Sequence, residues 1–175
     1  MKKVILLFFF FGMFFACKQK NSTTVVNPTE IKKTINTVLD DWHKAASEAN
    51  YENYFRVLDS NSVYIGTDAS ENWTKAQFSE FSKPYFDKGK AWSFTALERN
   101  IYINKTNNTV WFDELLNTWM GTCRGSGVLE KTNTEWKIKH YVLSITIPND
   151  DVKEIINIKK EKDSIFLNNY SNTKK

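Results

Sequence analysis

Hydrophobic positions change period partway along this chain, dividing it into a helical half and a stranded half. In the first half, Ile31, Ile35, Val38, Trp42, Ala45 and Ala49 recur at steps of three and four. Asn27-Pro28-Thr29-Glu30 opens that helix, with Asn27 as N-cap, Pro28 at the first helical position and Glu30 three residues in. The stripe predicts a helix to about Asn50, with His43 beside Trp42 at its half-wet boundary. A short second helix is predicted over 51–58, with Tyr51, Tyr54, Phe55 and Leu58 on one side. Val63-Tyr64-Ile65 then reads as a short strand, and Thr74 with Gln77 caps a third helix carrying Phe78, Phe81 and Tyr85 inward. After Gly89 the period becomes two. Strands are predicted over 92–103, 109–119, 122–131 and 135–147, separated by Asn, Thr and Gly turns. A lysine-rich segment with Val152, Ile155 and Ile156 predicts a last helix that frays into a polar end. Helices first and antiparallel strands second make an α+β class, with three helices on one strongly bent sheet.

The apolar run from Val4 to Phe15 belongs to neither half. It follows Met1-Lys2-Lys3 and ends at Ala16-Cys17, the pattern of a secretory signal peptide and too short for a membrane span. Phe14-Phe15-Ala16-Cys17 resembles a bacterial lipobox, in which the cysteine is lipidated and becomes the first mature residue. The expected division is therefore a lipoprotein signal over 1–16, a lipidated tether over 17–27, one domain over 28–149 and a helical extension over 150–175. Lys18 after the cysteine suggests a lipid anchor in the outer membrane of the cell envelope.

Composition narrows the function. Removing 16 of the 175 residues leaves about 159, enough for one domain with a core. Removing Lys2 and Lys3 also lowers the formal net charge from +4 to +2. The remaining lysines are interleaved with acids, which argues against nucleic acid as a partner. With Cys17 acylated, Cys123 has no thiol to pair with and reads as a small buried residue. Two histidines and no recognisable ligand spacing argue against a metal site, and no motif calls for an organic cofactor.

The turns allow strand neighbours to be estimated. Arg99 is set opposite Glu114, Glu114 opposite Gly127, and Gly127 opposite His140, in one row with strands about 4.8 Å apart. Gly125 and Gly127 would leave open space above the middle of that row. His140 has the ordinary pKa best suited to proton transfer near neutrality, and Glu114 could join it if Phe112 and Leu116 raised its own. Arg99 and Glu114 read first as an ion pair that fixes register. A slip of one residue would line the pocket with Asp113, Arg124, Ser126 and Tyr141 instead. Tyr64, Asp68, Glu71, Trp73 and Trp92 are further ligand-binding candidates. The opposite face, with Trp111, Leu115, Trp119, Val128, Tyr141, Leu143 and Ile145, needs cover from a second copy or from the final helix.

Tyr64-Ile65-Gly66-Thr67-Asp68, Glu71-Asn72-Trp73, Arg99, Trp111-Phe112-Asp113-Glu114, Arg124-Gly125-Ser126-Gly127-Val128 and the run Trp136 to Ser144 together resemble the SnoaL-like branch of the nuclear-transport-factor-2-like superfamily. The resemblance spans about 28–149. It implies a cone-shaped half-barrel with an apolar pocket closed by helices, and often a homodimer. It does not imply one activity, since such folds serve isomerases, dehydratases, cyclases and non-catalytic modules. The leading expectation is a membrane-anchored domain that binds a small, largely apolar molecule. Proton transfer by His140 and Glu114 on such a molecule, without cofactor, is the second. A partner-interaction module is the third.

Overall fold

The computed structural model describes residues 27–173. The expected signal peptide, Cys17 and most of the expected tether lie outside the described residues. Helix α1 (Pro28–Ser47) begins as its sequence requires, with the Asn27 side chain accepting from the Thr29 N–H at 3.0 Å. Its buried stripe is Ile31, Ile35, Leu39, Trp42, Ala45 and Ala46. α2 (Tyr51–Val57) turns back at once and runs into strand β1 (Leu58–Ile65), longer than its apolar core suggested. A loop leads to a three-residue strand β2 (Asn72–Thr74), which the sequence pattern did not reveal. α3 (Lys75–Asp87) follows, held by the Thr74–Gln77 capping box.

Four long strands come next: β3 (Thr95–Ile103), β4 (Thr109–Thr118), β5 (Gly121–Thr132) and β6 (Glu135–Ile145). The sheet order is β2-β1-β6-β5-β4-β3, antiparallel except where β1 runs parallel to β6. This curved, unclosed sheet cups the three N-terminal helices, and the core lies between them. Its centre is aromatic: the Trp42 ring stacks on Tyr54 at 5.1 Å and meets Tyr141 edge-on at 4.8 Å.

Register decides which side chains enter that core. Arg99 stands opposite Glu114, as expected. Glu114, however, faces Gly125 rather than Gly127, a two-residue difference that leaves every side chain of β5 on its expected face. Between β5 and β6 the pairing leaves the turn as expected, with Thr132 opposite Glu135 and Leu129 opposite Ile138. A bulge then inserts Lys139, so that Val128 pairs with His140 and Gly127 with Tyr141. One extra residue exchanges the faces: Tyr141 turns into the core and His140 turns to the outer side.

The outer face carries Tyr102 and Trp111, stacked at 5.9 Å and each 47% exposed, with Leu115 and Val128 beside them. Tyr141 and Leu143, expected there, are buried on the inner side instead. After a single 3₁₀ turn (Asn149–Asp151), α4 (Val152–Thr173) is regular but buries none of its described side chains; only Ile155 is half-buried. It therefore does not cover the outer face, where Trp111 stays open.

Candidate functional site

Two features inside the cup could carry chemistry, a buried polar cluster and an aromatic cavity, and they are separate. The cluster centres on Glu114, 1% exposed on β4. Its Oε1 accepts from His43 Nε2 at 2.9 Å and from the Tyr141 hydroxyl at 3.2 Å. Its Oε2 accepts from Arg99 Nε at 2.9 Å, with Arg99 Nη2 2.8 Å from the same oxygen. Arg99 Nη1 in turn reaches Asp40 Oδ1 at 2.8 Å and the Asn36 side-chain and backbone oxygens at 3.2 and 3.3 Å, all on α1. Burial alone would push the Glu114 pKa up, but hydrogen bonds and charge from His43 and Arg99 outweigh it and hold the group below its ordinary value. Glu114 is thus a carboxylate that can only accept, so His43 Nε2 carries the proton between them. The expectation that Phe112 and Leu116 would raise the Glu114 pKa is corrected.

His43 is also corrected. It is 6% exposed, where the sequence suggested a half-wet boundary. The signal was present: His43 follows Leu39 by four, and Leu39, rather than half-buried Val38, belongs to the buried stripe.

His140 lies on the outer face and Glu114 on the inner, so the two do not flank a common space. Nor do the glycines leave room between them. A Cβ on Gly125 would run into the Tyr141 hydroxyl, and one on Gly127 would stand 2.8 Å from the Phe112 ring. The glycines exist so that side chains of neighbouring strands can cross over them. Of the alternative set, Tyr141 joins the core. Asp113, Arg124 and Ser126 stand on the outer face, Asp113 taking a bond from Asn100 at 3.2 Å.

The cavity lies at the other end of the cup, between the β1–β2 loop, α3 and the segment before β3. Its volume is about 340 Å³. Tyr64, Trp73, Phe78, Phe81, Tyr85, Trp92, Phe94 and Trp119 supply aromatic walls, and Gly66, Thr67, Glu71, Ala91, Met120 and Leu143 complete them. The rings stack in series: Tyr64 on Phe78 at 3.8 Å, Trp73 on Phe81 at 4.7 Å, and Phe78 on Trp92 at 5.8 Å. Tyr64, Trp73, Trp92 and Glu71 are therefore brought together. Asp68 is not: its carboxylate is exposed and accepts from the Ser70 N–H at 2.9 Å and the Ser70 hydroxyl at 2.6 Å. Phe81 and Tyr85 read from sequence as an inward helical stripe rather than as walls, Phe94 carries no signal of its own, and Trp119, expected on the outer sheet face, lines the cavity instead.

Rings stand between the polar cluster and the cavity. Phe94 lines the cavity and lies 6.0 Å from the His43 ring, while Tyr141 bonds Glu114 and packs 5.4 Å from Tyr64. Burial drives the Tyr64 pKa upward, so its phenol stays neutral across the physiological range.

Known proteins fit this architecture. The family model of the SnoaL-like domain matches residues 35–148. No curated protein matches. Among solved structures, a nuclear-transport-factor-2-like protein of unknown function from Pseudomonas putida is similar at TM-score 0.60 and 9% identity, covering 69% of this chain and 90% of that one. A nuclear-transport-factor-2-like protein from Cytophaga hutchinsonii gives 0.56 at 17% identity, covering 66% and 98%. A domain of unknown function with a cystatin-like fold from Nostoc punctiforme gives 0.60 at 11% identity, covering 85% and 99%. At such identities the structures speak for the fold alone, and the family match carries the assignment. The chain belongs to the SnoaL-like family, built on a nuclear-transport-factor-2-like fold.

Proposed function

We propose that the protein binds a small, largely apolar molecule in the aromatic cavity and performs no proton chemistry on it. The observation that supports this reading is the separation of the two features. The cavity has the volume and apolar lining of a small-molecule site. The buried carboxylate and imidazole sit behind rings, where they hold α1 on the sheet.

Ala91 lines the cavity from the irregular segment between α3 and β3, where a larger side chain can be accepted without breaking a regular element. Native mass spectrometry of the purified protein should detect a co-purifying small molecule, and Ala91→Trp should lose it while melting within a few degrees of the parent. A parent that carries nothing and takes up no apolar probe would refute the binding reading.

The same reading has Cys17 acylated and the domain held at a membrane, with a second copy on the exposed Tyr102–Trp111 face. Cell fractionation should find the parent with membranes and Cys17→Ser in the soluble fraction. Sedimentation of that soluble variant should give a dimer that Trp111→Lys splits. Membrane-bound Cys17→Ser would remove the anchor, and a monomer at tens of micromolar would remove the second copy.

A further inference from the structure

We propose that the molecule bound in the aromatic cavity is an organic cation, with its charge held against Glu71. This rests on the binding reading above and names the chemical class of the ligand. Among the residues that line the cavity, Glu71 alone carries a charge at neutral pH; none is lysine, arginine or histidine. Glu71 is half-buried and held in place: its Oε2 accepts from the Asp68 N–H at 3.1 Å, and its backbone carbonyl accepts from the Gly66 N–H at 3.0 Å. Its side chain fills the space over Gly66, where any Cβ would collide with it. Among the described residues no basic side chain forms an ion pair with it.

Three ligand charges can be weighed against that wall. An anion would meet a carboxylate with no compensating cation. A neutral apolar molecule would gain burial, but would strip water from Glu71 and return nothing to it. A cation neutralises the carboxylate and at the same time faces the electron-rich surfaces of the surrounding rings. Trp73 and Trp92, each stacked with Phe78, offer the strongest of these surfaces. Aromatic walls with one acid and no base are the composition that recognises quaternary or alkylated amines. About 340 Å³ leaves room for such a head together with an apolar ring or short chain.

The test compares two probes of nearly one shape, phenyltrimethylammonium and tert-butylbenzene, which differ in a nitrogen cation against a carbon. Each is titrated into the purified full chain and followed by the fluorescence of the cavity tryptophans. The cation is expected to bind at least tenfold more tightly. Glu71→Gln keeps an oxygen to accept from the Asp68 N–H, so it should fold as the parent does. It should cost the cation five- to tenfold while leaving tert-butylbenzene within twofold. Raising the salt concentration should weaken the cation alone. Equal affinities for the two probes, or a preference unchanged in Glu71→Gln, overturn the cation and leave the binding reading standing. If neither probe binds, by fluorescence or by thermal shift, the binding reading falls and the cation falls with it.

Discussion

Arg99→Met should destabilise the fold by about 3–5 kcal/mol, the usual consequence of removing one partner from a buried ion pair. The Arg99 side chain is 5% exposed and the Glu114 side chain 0%, so water cannot replace the lost guanidinium. Asp40, 65% exposed, would simply return to solvent. At about 2–4 °C per kcal/mol for a chain of this length, melting should fall by roughly 10 °C. The pH profile should move as well. Glu114 has its pKa depressed in the folded state. The stability it contributes is therefore complete above the ordinary carboxylate range and is lost as pH falls through the folded value. Without Arg99 the depression weakens, so the acid-dependent loss is smaller and is complete at a higher pH. Urea unfolding from about pH 7 to about pH 3 checks both effects. A variant that melts with the parent and keeps its acid profile would mean that Arg99 contributes nothing to holding Glu114.

Gly127→Ala should be the next most damaging small change. The added methyl would stand 2.5 Å from the His140 carbonyl oxygen and 2.8 Å from the Phe112 ring. Backbone, and not merely a flexible side chain, has to move, at a cost of about 1–3 kcal/mol or more. Melting should fall by several degrees, with cavity binding unchanged in the molecules that remain folded. If ligand binding were lost and stability kept, Gly127 would border the ligand after all, as the strand row first suggested.

The two substitutions mark where sequence reasoning succeeded and where it stopped. Arg99 and Glu114 could be paired because one turn separates their strands and no irregularity lies between that turn and the pair; the break in the β3–β4 register comes beyond them, between Ala96 and Glu98. Gly127 and His140 could not. Their turn was read correctly, but a bulge at Lys139 leaves no mark in a period-two pattern, and one unpaired residue reverses every side chain beyond it. The helices were legible from their caps. Asn27 and Thr74 accept the bonds their positions imply. The cavity was half-legible. Tyr64, Trp73 and Trp92 were singled out, but Phe94 and Trp119, just beyond the Thr95–Asn117 pair at the end of β3 and β4, meet them only in the folded sheet.

The sheet order also governs the sequence of events during synthesis. Glu114 leaves the ribosome 71 residues after His43, which at about 5–20 residues per second is a delay of roughly 4–14 s. Throughout that interval α1 has neither the carboxylate that anchors it nor the strands that cover its tryptophan. β6 comes later still, yet it lies between β1 and β5 in the interior of the sheet. A nascent chain stopped before residue 135 therefore holds two unjoined sheet fragments with open edges and an uncovered aromatic helix face. Folding of this domain is completed from its middle, by the last strand to arrive.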